Sequence, residues 1–224
     1  MNLIEYPDSE MMMIDLAQTL VGELNTCLMK HEWASFAVPG GTTPGPIFDV
    51  MCAANLDWDR VHVMLTDERW VPEDSPRSNT RLLRERLLVD RAAAAQYVPL
   101  YADAETPEEA LDGLSEGIAR ELPISVMLLG MGADMHTASL FPGADRLADG
   151  LAEDAPCLLP MRADGAPEPR ITLTAPVLKG AMSRHLVIIG ADKRAALERA
   201  KNMSPLEAPV AAILPGTTVH WAEQ

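Results

Sequence analysis

The chain has 224 residues, 48% of them hydrophobic, enough to bury one large core, so a single domain over 1–224 is expected. With 33 acidic residues against 18 lysines and arginines, the formal charge is −15 and no basic tract occurs, which argues against a nucleic acid or an anionic membrane as partner. Cys27, Cys52 and Cys157 are odd in number and widely spaced, which argues against a disulfide framework and a zinc site. The first ten residues carry acids where a secretory signal would carry lysines, and no apolar run reaches membrane-spanning length. A cytoplasmic protein is expected.

In chain order, residues 9–30 have the spacing of an amphipathic helix. Phe36–Val38 is a short predicted strand, followed by a helix over 43–54. Val61–Leu65 is the next strand, and residues 79–88 form a helix. Residues 97–101 are extended, and Thr106-Pro107-Glu108-Glu109 announces a helix to Arg120 with acids in its first turn. The uninterrupted apolar run Ile124–Leu129 has the length and makeup of a buried strand. Residues 144–169, rich in Asp, Ala and Pro, are expected to be loop with a short strand near Leu158. Strands follow at 170–174, 185–189 and 210–214, with a helix over 192–201 between the last two. This alternation predicts an α/β fold with a mainly parallel sheet covered on both faces.

Four loops that follow strands carry polar chemistry. Pro39-Gly40-Gly41-Thr42-Thr43-Pro44 combines a tight glycine turn, a threonine suited to capping and a proline suited to a first helical turn. Its free amides would attract a phosphate or carboxylate, although taken alone the loop is better read as an ordinary strand-to-helix turn, and the Gly-Lys-Ser/Thr ending of a P-loop is missing. Thr66-Asp67-Glu68-Arg69-Trp70-Val71-Pro72, with Arg77, Ser78 and Asn79 beyond it, offers two acids and an arginine that suit holding a water and an anion; a surface ion-pair cluster under Trp70 is the other reading.

The third loop, Gly130 to Gly143, leaves the buried strand and delivers Asp134 and His136 to the carboxyl edge of the sheet, where open α/β sheets bind ligands. Imidazole titrates near neutrality and suits a general base, with Asp134 or another carboxylate orienting the ring. Alternatively, Asp134 and Thr137 cap a helix starting at Ala138. His31 and His220 are expected at the surface or terminus, His62 within the sheet and His185 at a strand start. In the fourth loop, Gly190-Ala191-Asp192-Lys193, a lysine in the first helical turn is electrostatically misplaced unless an anion lies nearby. Arg170 reaches the same edge only if its strand runs antiparallel; otherwise it is a solvated strand-end arginine.

Gly40 to Pro44, Asp67 to Pro72 with Ser78-Asn79, Gly130 to Gly143, Arg170 to Thr174 and Gly190 to Lys193 resemble, in order and spacing, the motifs of the 6-phosphogluconolactonases. The likeness runs through nearly the whole chain and is most specific at Asp134-x-His136-Thr137-Ala138-Ser139-Leu140-Phe141-Pro142. It implies the three-layer α/β architecture shared with glucosamine-6-phosphate isomerases, ribose-5-phosphate isomerases and CoA transferases. It also implies hydrolysis of 6-phosphogluconolactone in the oxidative pentose phosphate pathway, with neither metal nor cofactor. Met135 stands where the family pattern usually has glycine, and would be strained if that position needs a positive φ.

On this reading His136 is the general base, Asp134 orients it, and Asp67 orients the water or the histidine. Arg69, Arg77, Arg170 and Lys193 grip the phosphate together with the loop Gly40, Gly41, Thr42 and Thr43. Two alternatives on the same fold are an amino-sugar phosphate deaminase/isomerase and a non-catalytic sugar-phosphate sensor. The first is disfavoured because the segment at Asp67 and the residues after His136 take the lactonase form. The second is disfavoured because no residues remain for a partner module.

Overall fold

A computed structural model describes all residues from Met1 to Gln224. Its centre is a seven-stranded sheet in which every neighbouring pair is parallel, in the order β1-β10-β9-β6-β2-β3-β5. These strands are β1 (Asn2–Tyr6), β2 (Ala34–Val38), β3 (Val61–Leu65), β5 (Gln96–Val98), β6 (Val126–Gly130), β9 (Ser183–Ile189) and β10 (Thr218–Ala222). Inner strands read as continuous apolar runs because helices cover both faces; all five residues of β2 are buried. The covering helices are α1 (Ser9–Leu28), α2 (Gly45–Met51), α3 (Asn79–Arg86), α4 (Pro107–Ala119) and α7 (Ala191–Ala200). Helix α1 buries Met12, Leu16, Leu20 and Leu24 at helical spacing, and Asp8 caps it by accepting from the Met11 amide at 2.8 Å. No helix is long and apolar enough to cross a membrane.

A second sheet of three antiparallel strands, β4-β8-β7, lies beside the carboxyl end of β3. Here the structure departs from expectation. The Asp67 segment is a strand, β4 (Asp67–Arg69); the segment 144–169 holds the expected strand near Leu158, as β7 (Leu158–Ala163), but also a short helix α5 (Leu147–Leu151) and the start of β8 (Ala166–Leu173), which pairs with β7 as a hairpin. Prolines mask this hairpin in the sequence. Pro160 is tolerated because β7 is an edge strand.

Two further expectations fail, and two elements were not foreseen. Residues 210–214 are not a strand: Pro209–Ala212 form a 3-10 turn whose Val210 amide donates to the Met135 carbonyl, and the last strand begins at Thr218. A short apolar run flanked by proline fits a buried turn as well as a strand. β1, an edge strand with mixed burial, and α6 (Ala175–Gly180), which is only six residues long, show no clear period. His220 is not a surface residue. It is 1% exposed in β10, where it bonds His185 at 2.9 Å and Tyr6 at 2.9 Å, and burial lowers its pKa to about 4.

The small sheet and α3 are joined at Glu68, which is fully buried. One carboxylate oxygen accepts from the amides of Arg69 (2.7 Å) and Asn79 (2.8 Å). The other accepts from the Thr80 amide and hydroxyl (both 2.8 Å) and the Ser78 hydroxyl (3.0 Å). A carboxylate at a helix start satisfies otherwise orphaned donors and matches the positive end of the helix. Replacing it by alanine strands five donors, so Glu68→Ala should lower the unfolding free energy by roughly 3 kcal/mol. That corresponds to a Tm drop of about 6–10 °C in a thermal melt. A melt indistinguishable from wild type would show that α3 is anchored elsewhere.

Candidate active site

The strand order creates the site. From β2 the chain moves outward through β3 to β5, whereas from β6 it moves the other way through β9 to β10. The loops after β2 and β6 therefore part company above the sheet, leaving a crevice at their carboxyl ends. A cleft of about 390 Å³ opens there, lined by residues 39–44, by Gly130, Met131, Gly132, His136, Ala138 and Phe141, and by Asp67, Arg69, Asn79, Gly165, Arg170, Val187 and Lys193. All four polar loops thus meet at one place.

The loop after β6 presents the histidine. No helix starts at Ala138; the segment is a series of turns closed by the Gly132 amide to the His136 carbonyl (3.1 Å) and by the Thr137 hydroxyl to the Gly130 carbonyl (3.0 Å). His136 Nδ1 and Asp134 Oδ1 are 2.5 Å apart, and the hydrogen bond to His136 holds the Asp134 carboxyl below its ordinary pKa. With Nδ1 donating to that carboxylate, Nε2 is left as the acceptor. A Cβ at Gly132 would overlap both the imidazole and Asp134, so only glycine lets the backbone pass beneath the pair. The Phe141 ring backs the imidazole at 4.5 Å between centroids. Met135 adopts φ +67, so the conformation that favours glycine is carried here by methionine.

Asp67 is the second carboxylate of the cleft, 6% exposed. It accepts from the hydroxyls of Ser139 (2.6 Å) and Thr66 (3.2 Å) and lies 3.7 Å from Arg170 Nη1. Because Asp134 already occupies Nδ1 of the imidazole, Asp67 is left free to hold water or substrate.

The cations divide into two groups. Arg170 does sit in an antiparallel strand, as its reach required, and is not solvated. It is 9% exposed, its Nε has no partner, its guanidinium lies 5.5 Å over the Phe141 ring, and burial lowers its pKa. Arg69 Nη1 donates to the Arg77 carbonyl at 2.6 Å, while its buried Nε is also unpartnered. Lys193, in the first turn of α7, makes no ion pair, and burial lowers its pKa. Arg77, in contrast, does not line the cleft; its guanidinium forks onto Glu168. That carboxylate, hidden in the misread proline-rich segment, is the physical reason for the correction.

The loop 39–44 lies where expected but without a threonine cap: α2 begins at Gly45 behind Pro44 and no side chain caps it. Gly40 is required because a Cβ would overlap the Asn79 amide group. Asn79 in turn donates to the Asp67 carbonyl at 3.0 Å. Sequence reasoning overlooked the roles of Ser139, Phe141 and Asn79. All three lie inside the quoted motifs, but nothing in a one-dimensional pattern pairs them with their partners.

Within a protein of charge −15, these three cations, Arg69, Arg170 and Lys193, give the cleft a local positive charge. Inorganic phosphate should bind there, and because burial lowers the Lys193 pKa, its affinity should begin to fall with rising pH below the ordinary lysine range, while the arginines stay charged. Calorimetric titration should show that dependence flattened in Lys193→Ala. An unchanged slope would place the anion elsewhere.

Comparison with known proteins agrees with this architecture. The family model described as "Glucosamine-6-phosphate isomerases/6-phosphogluconolactonase" matches residues 7–221. A 6-phosphogluconolactonase of Caulobacter vibrioides is 41% identical, with 92% of this chain and 91% of that protein covered. One from Pseudomonas aeruginosa is 40% identical over 92% of this chain and 88% of that protein. Among solved structures, a 6-phosphogluconolactonase from Shewanella baltica superimposes with a TM-score of 0.95 at 30% identity, covering 99% of this chain and 97% of that one. A monomeric glucosamine-6-phosphate deaminase shares the fold alone, at a TM-score of 0.82 and 15% identity. A match over nearly the whole length places this chain in the glucosamine-6-phosphate isomerase/6-phosphogluconolactonase family.

Proposed function

We propose that this protein is an enzyme that hydrolyses 6-phospho-D-glucono-1,5-lactone to 6-phospho-D-gluconate, the lactone-opening step of the oxidative pentose phosphate pathway. The observation that carries the reading is one cleft holding an Asp134–His136 pair together with Arg69, Arg170 and Lys193. The names borne by relatives at about 40% identity support it. The whole chain, 1–224, acts as one such domain.

In the reaction His136 Nε2 takes a proton from a water held beside Asp67, and the hydroxide formed attacks the lactone carbonyl carbon. The positive charge that develops on the imidazole is stabilised by Asp134, which also fixes the ring tautomer. The tetrahedral oxyanion is neutralised by a cleft cation or loop amides. As it collapses, the bond from the carbonyl carbon to the ring oxygen breaks, and His136 returns its proton to that oxygen. The new carboxylic acid then loses a proton to solvent. The remote phosphate takes no part in bond breaking; gripped by Lys193, the arginines and the loop Gly40 to Thr43, it aligns the carbonyl with the base.

Freshly generated lactone should disappear faster with the protein than without it, and glucosamine 6-phosphate should release no ammonia. Substituting His136→Ala should lower kcat by about 10²–10⁴-fold while leaving product affinity nearly intact. A mutant retaining most of its turnover would show that another group is the base. The two groups of cations should also separate kinetically: Lys193→Ala raises KM by about tenfold or more, the cost of one lost charged contact. Arg77→Ala, which breaks only an exposed pair, stays within about twofold of wild type. Equal effects from both would contradict this assignment of the phosphate site.

A further inference from the structure

Ser139 is fully buried and does not itself line the cleft, yet it links three elements of the site. Its amide donates to the Thr172 hydroxyl of β8 at 3.1 Å, and its own hydroxyl donates to Asp67 Oδ2 of β4 at 2.6 Å. The Thr172 hydroxyl is itself committed as a donor to the Leu173 carbonyl at 3.0 Å, so toward Ser139 it acts as the acceptor of the amide, while the Ser139 hydroxyl donates to Asp67. Immediately before Ser139 the backbone turns through Ala138 at φ +49, a conformation alanine adopts only when its surroundings hold it. The loop bearing His136 is therefore bent so that one hydroxyl reaches across to the opposite carboxylate.

Buried carboxylates need their lone pairs satisfied, and the partners Asp67 has determine which way it faces. Thr66 takes one oxygen from the neighbouring position and Ser139 the other from the far loop, while Arg170 stands further off at 3.7 Å. We infer that Ser139 is a positioning residue: it sets the orientation of Asp67 and fixes the distance between that carboxylate and the His136 loop. The two groups that must act on the same water are thereby registered to one another by a single hydrogen bond. This role rests on the hydrolytic reading of the cleft; the bond itself and its effect on the loop do not.

The test is a double-mutant cycle with Ser139→Ala, Asp67→Asn and the double variant, using freshly generated lactone. A readout independent of activity, amide hydrogen exchange over residues 132–143, accompanies it. Ser139→Ala should lower kcat by roughly 10- to 100-fold, as expected when a reacting group is misplaced, with KM within about twofold. It should add nothing in the Asp67→Asn background, and Ser139→Thr, which keeps the hydroxyl, should recover part of the loss. Exchange should quicken in the loop and nowhere else, with the Tm close to wild type.

An unchanged kcat in Ser139→Ala overturns the inference, as do effects that multiply in the double variant, which would mark Ser139 as mere packing. If the wild-type protein opens no lactone, the hydrolytic reading fails by itself. Exchange then decides whether Ser139 fixes the loop: unaltered protection in Ser139→Ala ends that claim, and quickened exchange upholds it.

Discussion

Asp67 and Glu68 are consecutive residues of a three-residue strand, and both are buried. Strand geometry sends neighbouring side chains to opposite sides, so the two carboxylates cannot do the same work. Glu68 turns toward the start of α3 and is saturated by backbone and hydroxyl donors. Asp67 turns toward the cleft and keeps company with Ser139, Thr66 and Arg170. Burying two acids side by side is costly unless every lone pair finds a donor. The molecule meets that cost by drawing α3, β8 and the His136 loop onto one short strand. The cleft has the shape it has because those partners must all be present at once.

The parallel sheet supplies the complementary half of the arrangement. Its switch point lies between β2 and β6, and the loops from these strands bring unlike chemistry to one crevice: glycine-lined backbone from one, an acid and an imidazole from the other. The cations come from farther away, Arg69 and Arg170 from the small sheet and Lys193 from the first turn of α7. Reacting group and anchoring charge are thus carried by different elements. Cations on some elements and an imidazole–carboxylate pair on another suit the proposed reaction, in which binding energy orients a carbonyl it does not touch. Within an acidic protein, such a site attracts a dianion only at close range, where desolvated cations outweigh the general repulsion.

Much of this was legible in the sequence, and the failures have physical causes. Buried parallel strands announce themselves as apolar runs, so β2, β3, β6 and β9 stood out, as did the helical spacing of α1. Glycine-rich turns after such strands identified three of the four loops, and the requirement that Arg170 lie on an antiparallel strand was met. The small sheet was harder to see. β4 is charged at all three positions, and β7 and β8 are interrupted by prolines, so their partners rather than their propensities make them strands. Arg77 was misplaced because its carboxylate partner, Glu168, lies 91 positions away in that same segment. Long-range pairings of this kind, like that of Ser139 with Asp67 or His220 with His185, have no local signature.

The central claim is that base and anion grip face each other across one cleft with a sugar phosphate stretched between them. A crystal structure of the protein with 6-phosphogluconate bound tests it most directly. The carboxylate of the product should lie within hydrogen-bonding reach of His136 Nε2, beside Asp67, with the phosphate enclosed by Lys193 and the arginines Arg69 and Arg170. A product bound in the reverse sense, with its phosphate against His136, or seated outside this crevice altogether, would contradict it.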